Sequence, residues 1–350
     1  MKTSPEQLVR ANIRDLTPYR SARQDHAAGI LLDANENSFG SVVSINGVSL
    51  NRYPDPNQIR LRKAFAALNG VGEDWIFAGV GSDEIIDLLI RLFCTPAKDS
   101  VLIIEPTYGM YGVSAAINEV GLMSSLLTRD FQIDLQDVLS KASKAKIIFC
   151  CSPNNPTANL LRAADIRTLC EQTEAMVVVD EAYIDFAGGS SVAAFSRDTR
   201  NLIVLRTLSK AWGLAAIRLG YCIADPAVIT YLMKIKPPYN INTLTSNAAL
   251  KALALESEMR ETVRKILRER DRLAAGLKAI SSVVSVYDSD ANFLLVRCRN
   301  ARGLRDRLAA KGIILRDRSA DPLLDNCLRV TVGTPQQNDA LLTAITEMES

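Results

Sequence analysis

Short apolar runs alternate with amphipathic stretches along the chain from Trp75 to about Tyr221. The apolar runs are too short for buried helices and several are rich in Val and Ile, so strands buried on both faces explain them better. Between them, Asp83–Phe93 and Tyr108–Glu119 have helical spacing of their apolar residues. This rhythm predicts a mostly parallel sheet with helices on both faces. The predicted strands are Trp75–Val80, Val101–Ile104, Ile147–Cys151, Met176–Val179, Leu202–Leu205 and Leu219–Ile223.

The last third of the chain has a different pattern. A long charged amphipathic helix is predicted from about Glu256 to Ile280, and short strand-like runs follow it. We therefore expect an α/β protein with three parts: an N-terminal arm over residues 1–48 that packs with the small domain, a large domain over 49–255 and a smaller α+β domain over 256–350. The predicted strands of the small domain are Val283–Tyr287, Phe293–Val296, Gly312–Leu315 and Leu328–Val332.

Composition excludes several kinds of function. The 41 Lys and Arg residues against 39 Asp and Glu give a net charge of +2, without the basic excess of a typical nucleic-acid binder. His26 is the only histidine, which excludes multi-histidine metal sites, and the seven cysteines have no metal-ligand spacing. No metal is predicted. The start of the sequence lacks the apolar core of a signal peptide and no apolar run is long enough to span a membrane, so we expect a cytoplasmic protein.

Polar residues follow two of the predicted strands, at the edge where an open parallel sheet binds ligands. The segment Ser152–Thr157 contains two prolines that stiffen it, and Asn155 within it could be a fixed hydrogen-bond donor or part of a simple turn. Asp180 follows three valines, so its carboxylate should face a cation or a donor, although it could also cap a helix. Tyr183 can reach the same site only if the chain turns just after Asp180.

A lysine and a group of residues suited to bind a phosphate complete the set of candidate site residues. Lys210 follows another predicted strand and is of the residue type that forms a Schiff base with a carbonyl, with Thr207, Ser209 and Arg218 near it in sequence. The segment Gly79–Glu84 begins like a dinucleotide fingerprint, but Glu84 replaces the third glycine, which makes an NAD dehydrogenase a weak alternative. The amides of Ser82 and Asp83 could instead hold a phosphate at a helix N-terminus. Pyridoxal phosphate presents groups for this whole set.

The sequence resembles the fold-type I pyridoxal-phosphate aminotransferases from about Thr17 to Gly333. The resemblance depends on a series of segments in a fixed order rather than on one motif. These segments are LDANEN at 32–37, NRYPDP at 51–56, PTYGMY at 106–111, SPNNPT at 152–157, DEAY at 180–183, RTLSK at 206–210, GIILRD at 312–317 and LRVTVG at 328–333.

The resemblance implies a role for each matched residue. Lys210 would bond to the cofactor and shuttle a proton, and Asp180 would keep the ring nitrogen protonated. Asn155 and Tyr183 would bond the ring oxygen, and Tyr108 would stack on the ring. The phosphate would be held by Ser82, Asp83, Thr207, Ser209 and Arg218, with Tyr53 reaching the phosphate of the neighbouring subunit of a homodimer. Tyr19, Arg316 and Arg329 would contact the substrates.

The implied reaction is an amino-group transfer between L-glutamate and the ketone that corresponds to L-histidinol phosphate. Glutamate offers carboxylates and histidinol phosphate offers a phosphate, so guanidinium groups that accept either anion suit both. An aromatic amino-acid aminotransferase is the closest alternative. A phosphate-recognising decarboxylase or a non-catalytic binding protein with the same fold are further alternatives.

Two positions depart from the family pattern. Ala158 and Ala216 stand where glycine is usual. If either backbone position needs a positive φ, the alanine there would be strained by about 1 kcal/mol or more.

Overall fold

The computed structural model describes residues 4–18, 34–43, 45, 47–188 and 191–349. Its strands are β1 (Ile76–Gly79), β2 (Ser100–Glu105), β3 (Gly121–Leu126), β4 (Ile147–Cys151), β5 (Met176–Asp180), β6 (Leu202–Thr207), β7 (Gly220–Ala224), β8 (Val283–Val286), β9 (Phe293–Cys298), β10 (Arg316–Asp317) and β11 (Cys327–Thr331). Its helices are α1 (Pro5–Leu8), α2 (Ala11–Arg14), α3 (Ile59–Asn69), α4 (Gly81–Phe93), α5 (Met110–Ile117), α6 (Leu135–Ala142), α7 (Ala163–Gln172), α8 (Pro226–Ile235), α9 (Thr243–Leu253), α10 (Glu256–Lys278), α11 (Ala301–Ala310) and α12 (Pro335–Glu347).

The larger sheet has seven strands in the order β1-β7-β6-β5-β4-β2-β3. Only β7 runs antiparallel to its neighbours, so the predicted mostly parallel sheet is confirmed. Alternate residues of each central strand enter different cores: Ile148 packs with α6 and α7, whereas Phe149 packs with α4 and α8. Burial on both faces explains why these strands are continuous apolar runs.

Strand β3 was not predicted. It lies at the edge of the sheet, and Leu122, Ser124 and Leu126 on it are exposed. An edge strand with one exposed face has no need of a continuous apolar run, so its sequence lacks that signal.

The smaller sheet has the order β10-β11-β9-β8 and is antiparallel throughout. It packs in one core with α10, α11 and α12, which confirms the expected smaller α+β unit. Register pairing places Arg316 directly opposite Arg329. The predicted strand over 312–315 is wrong, because pairing begins only at Arg316 and the apolar Ile313 and Leu315 pack against the core without a strand partner.

The first described residues of the arm contact the large domain. Leu8 and Ile13 are buried with the apolar residues of α4 and α8, and the ammonium of Lys234 donates to the carbonyl of Arg14 at 2.8 Å. Residues 5–14 therefore pack on the large domain, and the packing of the rest of the arm with the small domain stays a prediction. The domain boundaries themselves stay a prediction. Among the described residues, no helix combines the length and the apolarity needed to cross a bilayer.

Candidate active site

A cavity of about 160 Å³ lies where β4, β5 and β6 end beside the N-terminus of α4. It brings together all of the residues predicted to contact a cofactor except Tyr53. The residues that line it are Gly81, Ser82, Asp83, Tyr108, Cys151, Asn155, Asp180, Ala182, Tyr183, Thr207, Ser209, Lys210, Ala215 and Arg218.

The topology explains this convergence. Asp180 is the last residue of β5 and lies beside Cys151, the last residue of β4, because the two strands are parallel and in register. The chain turns at Ala182 and Tyr183 and enters a short 3-10 helix at Ile184. This turn brings Tyr183 to the same cavity as Asp180. A turn just after Asp180 was the condition under which both residues could reach one site.

Asp180 is a buried acid with two hydrogen-bond donors. The Tyr111 hydroxyl donates to its Oδ2 at 2.9 Å and the amide of Ala182 donates to its Oδ1 at 3.1 Å. Burial nevertheless raises the pKa of Asp180 to about 6, with a smaller contribution from the charge of Asp83. An ionised carboxylate in such a place is costly until a cation or a further donor approaches it.

Lys210 lies at the mouth of the cavity. Its ammonium is 5.4 Å from the centre of the Tyr183 ring. Partial burial, and then the charge of Arg329, lower the pKa of this amine, although Asp180 has the opposite effect. A lower pKa increases the neutral fraction of the amine, which is the form that attacks a carbonyl.

The N-terminus of α4 forms one wall of an anion cradle. Gly81 has a φ of 75°, and a Cβ at this position would lie 2.8 Å from Nη2 of Arg218. Any side chain here would fill the space between the helix amides and the guanidinium. Glycine keeps that space open for the oxygens of an anion, which a helix N-terminus and an arginine both attract.

Two hydroxyls form the opposite wall of the cradle. The Thr207 hydroxyl donates to the Ser209 hydroxyl at 3.0 Å and accepts a hydrogen bond from the Ser209 amide at 3.1 Å.

The backbone of Arg218 is in the left-handed region, with a φ of 52°. The carboxylate of Asp83 lies 3.4 Å from the Arg218 guanidinium and accepts the Tyr108 hydroxyl at 3.1 Å. The prediction used the amide of Asp83, and the structure adds these side-chain contacts.

Arginines of the small sheet extend the site. Arg329 donates to Oδ1 of Asn155 at 2.5 Å, which links the small sheet to the cavity. Arg316 lies opposite Arg329, but its side chain is exposed. Like charges directly opposite each other are unfavourable on their own, so this pair suits a position that receives an anion. Tyr19, the third predicted substrate contact, lies outside the described residues, as does His26.

Two residues near this site were missed by the sequence reasoning. Tyr111 contacts Asp180. It ends the PTYGMY segment that contributes to the family resemblance, but its burial among apolar residues gave no reason to assign it a role at the site. Arg318 lies two positions after Arg316 and pairs with Asp321 at 2.5 Å. Burial lowers the pKa of Arg329, and the charges of Arg318 and Arg316 lower it further. The two arginines at alternate positions, Arg316 and Arg318, were the feature of the sequence that could have identified Arg318.

A sequence profile of the aminotransferase class I and II family matches residues 29–345. The chain belongs to this family. It is 46% identical over 345 residues to the histidinol-phosphate aminotransferase of Cytophaga hutchinsonii and 47% identical over 345 residues to that of Parabacteroides distasonis, with 98% of both chains covered in each case. It also superposes on the crystal structure of the Sinorhizobium meliloti histidinol-phosphate aminotransferase in complex with pyridoxal-5'-phosphate, with a TM-score of 0.79, 26% identity, and coverage of 85% of this chain and 83% of the other.

Tyr53 does not line the cavity of its own chain in this aminotransferase. Its ring is half exposed and stacks on Tyr239 with a centroid distance of 4.4 Å. Its predicted contact with the site of a second subunit stays a prediction.

A larger cavity, of about 450 Å³, lies between α10 and the strands β6 and β7 of the aminotransferase. The guanidinium groups of two arginines that line it already have carboxylate partners: Arg206 pairs with Glu181 at 2.9 Å, and Arg260 pairs with Glu256. The smaller cavity is therefore the better candidate, because its amine and its anion cradle are arranged to receive a ligand.

Of the two alanines that replace family glycines, only Ala158 has a positive φ, at 70°. Left-handed backbone costs about 1–2 kcal/mol for a residue with a Cβ. Ala158→Gly removes this strain but also loses a buried methyl, worth about 0.8 kcal/mol, and gains unfolded-state entropy worth about 0.4–1 kcal/mol. We expect these effects to cancel, leaving the free energy of unfolding within about 0.5 kcal/mol of wild type.

Urea unfolding tests this expectation, with Ala249→Gly as the matched control. Ala249 is equally buried, but it lies in α9 with ordinary helical backbone. Without strain to relieve, that variant should lose about 1.5–2 kcal/mol. An equal loss in the two variants would show that Ala158 is not strained.

Proposed function

We propose that this chain transfers an amino group between L-glutamate and 3-(imidazol-4-yl)-2-oxopropyl phosphate, giving L-histidinol phosphate and 2-oxoglutarate, with pyridoxal phosphate as cofactor. The convergence of Lys210, Asp180 and an anion cradle on one cavity carries the proposal. Its support from relatives is that curated proteins 46% and 47% identical over nearly the whole chain are named histidinol-phosphate aminotransferase.

The donor set of the cavity matches the groups of the cofactor. The cradle that Gly81 leaves open suits the phosphate, and the buried Asp180 gains a cationic partner if it faces a protonated ring nitrogen. Lys210 would supply the amine for the aldehyde, Asn155 and Tyr183 would bond the ring hydroxyl, and Tyr108 would cover the ring. The residues assigned to the phosphate are Ser82, Asp83, Thr207, Ser209 and Arg218, with Tyr53 from a second copy.

When bound, pyridoxal phosphate supplies an aldehyde that captures amino groups and a ring that withdraws electrons from the substrate α-carbon. Lys210 would bond to the cofactor and would take the proton from that α-carbon with its Nζ. Its lowered pKa increases the share of amine that is free to accept this proton. Asp180 would hold the negative charge that keeps the ring nitrogen protonated, and its burial would strengthen that interaction.

Substrate anions are recognised by arginine in this proposal. Arg329 and Arg316 lie opposite each other on the small sheet. The planar guanidinium group can make two parallel hydrogen bonds to a carboxylate or to a phosphate. Tyr19 is a further proposed contact from the arm. One pair of arginines can thus serve glutamate in one half of the cycle and histidinol phosphate in the other.

The proposal extends to assembly and location. Because Tyr53 is half exposed and does not line the cavity of its own chain, we assign it to the site of the partner in a homodimer. A cytoplasmic location remains part of the proposal.

Arg329→Lys should raise KM for both glutamate and histidinol phosphate by about 10- to 100-fold, because lysine cannot make two parallel bonds to an anion. Steady-state kinetics with each substrate measures the effect. Arg272→Lys is the control, since Arg272 lies on α10 and pairs with Glu269 on the surface. A KM unchanged in Arg329→Lys would remove this residue from the substrate site.

The experiment that tests the function compares kcat/KM for L-histidinol phosphate and L-phenylalanine, with 2-oxoglutarate as the acceptor. We expect the purified protein to be yellow and to prefer histidinol phosphate. A preference for phenylalanine would contradict the proposed reaction and favour an aromatic amino-acid aminotransferase. Release of CO2 from L-phenylalanine, which carries the carboxylate that L-histidinol phosphate lacks, would favour a decarboxylase. A colourless protein that takes up no pyridoxal phosphate would refute the cofactor assignment.

A further inference from the structure

The hydroxyl of Tyr111 is held against the acid of the site. Tyr111 is fully buried in α5, its ring stacks on Phe149 with a centroid distance of 4.7 Å, and the Tyr108 ring packs against it at 84°. These contacts fix the ring and so fix its hydroxyl, which donates to Oδ2 of Asp180 at 2.9 Å. Burial and the charge of Asp180 raise the pKa of Tyr111, so the hydroxyl keeps its proton and remains a donor.

Several charged or titratable groups face Asp180 from the elements around it. They are Asp83 from α4, Tyr108 from the segment before α5, Tyr111 from α5 itself, Cys151 from β4, Tyr183 from the turn after β5, and Lys210 from the loop after β6. Among the interactions that favour the ionised carboxylate, the hydrogen bond from Tyr111 is the largest, ahead of the Ala182 amide and Lys210. Of these interactions, it therefore counteracts most strongly the rise in the pKa of Asp180 that burial causes.

We propose that Tyr111 is a positioning residue that keeps the shared proton on the ring nitrogen of the cofactor and off Asp180. The inference rests on the proposed function, since it needs pyridoxal phosphate in the cavity. A carboxylate that accepts a hydrogen bond from a fixed neutral donor is a weaker base. Without that donor, Asp180 would bind the proton itself, and an uncharged ring withdraws electrons less well.

Tyr111→Phe removes only the hydroxyl and keeps the ring stack. The holoenzyme is prepared with pyridoxal phosphate labelled with ¹⁵N in the ring, and the nitrogen chemical shift reports where the proton lies. We expect the signal of the variant to move toward the value of unprotonated pyridine, by an amount equivalent to about 1 pH unit in proton affinity. We expect kcat to fall by about 10-fold or more while KM changes little.

Tyr221→Phe is the matched control. Tyr221 is also buried and stacked on a phenylalanine, but its hydroxyl accepts from Asn69 and does not contact Asp180. Its nitrogen signal should equal that of wild type. A wild-type signal in Tyr111→Phe as well would overturn the proposal, whereas a wild-type protein that takes up no cofactor would refute the proposed function itself.

A second variant decides the question if Tyr111→Phe does not fold. Tyr111→3-fluorotyrosine keeps the ring and the hydroxyl and makes that hydroxyl a stronger donor. Its nitrogen signal should lie closer to the protonated value than that of wild type at a pH where the wild-type nitrogen is partly protonated. An unchanged signal, or one that moves the other way, would overturn the proposal.

Discussion

Lys210→Ala is expected to lower kcat/KM for transamination by about 10⁴-fold, because it removes both the amine that bonds to the cofactor and the base that moves the α-proton. The fold should survive, since the side chain of Lys210 is exposed at the mouth of the cavity and lies outside the apolar cores. Single-turnover kinetics with enzyme preloaded with pyridoxal phosphate measures the loss directly.

Two controls sharpen that result. Lys251→Ala changes an exposed lysine of α9 and should leave activity unchanged. Added methylamine or ethylamine should restore part of the activity of Lys210→Ala, because a small free amine can take the place of the missing base. Activity of Lys210→Ala within tenfold of wild type would show that another group moves the proton.

Asp180→Asn is expected to change activity and stability in opposite directions. Activity should fall by about 10³-fold, because an amide cannot hold the charge that keeps the ring nitrogen protonated. The free energy of unfolding of cofactor-free protein should rise at neutral pH, because the buried carboxylate is costly when no cation faces it. Its pKa is raised from 3.8 to about 6 in the folded chain.

The direction of this stability change with pH follows from the number of protons that Asp180 binds in the folded and the unfolded chain. Between these two pKa values Asp180 binds more protons in the folded chain than in the unfolded chain, so its contribution to wild-type stability falls as the pH rises from about 4 to about 6. Above that range, the ionised Asp180 costs on the order of 3 kcal/mol. The amide of the variant stays neutral, so Asp180→Asn should exceed wild type by up to that amount at about pH 7 and should lose its advantage as the pH falls to about 4.

Urea unfolding of cofactor-free protein at several pH values measures this difference. Asp137→Asn is the control of opposite sign, because Asp137 pairs with Lys141 on the surface and hydrogen bonding lowers its pKa. That variant should lose stability at neutral pH. A stability difference between Asp180→Asn and wild type that does not vary with pH would contradict the account of Asp180.

The sequence predicted the strands that are buried on both faces. Ile147–Cys151 was predicted with its observed bounds, because a strand between two layers of helices must be apolar at every position. The edge strand β3 was not predicted, because one of its faces is exposed and its residues therefore need not be apolar at every position. The run over 312–315 was misassigned because Ile313 and Leu315 are apolar for contact with a core, and apolarity alone does not specify strand pairing.

The candidate site was predictable where residues follow the ends of strands. Parallel strands bring Asn155, Asp180 and Lys210 to one edge of the sheet, so their sequence positions imply their proximity. Tyr111 was not predictable, because its hydroxyl contact depends on how α5 packs on Phe149. The packing of residues 5–14 on the large domain was not predicted, because Leu8 and Ile13 indicate that a face is buried and do not specify which domain covers it.

The central claim is that Lys210 bonds to the cofactor in the cavity at the ends of β4, β5 and β6. Reduction of the yellow protein with sodium borohydride converts that Schiff base into a stable amine, and peptide mass spectrometry locates it. A buried lysine elsewhere in the chain makes the test demanding. Burial lowers the pKa of Lys236 to about 8, but its ammonium donates to the carbonyls of Pro237 and Pro238. We expect the pyridoxyl group on Lys210, and its appearance on Lys236 or on no lysine would contradict the claim.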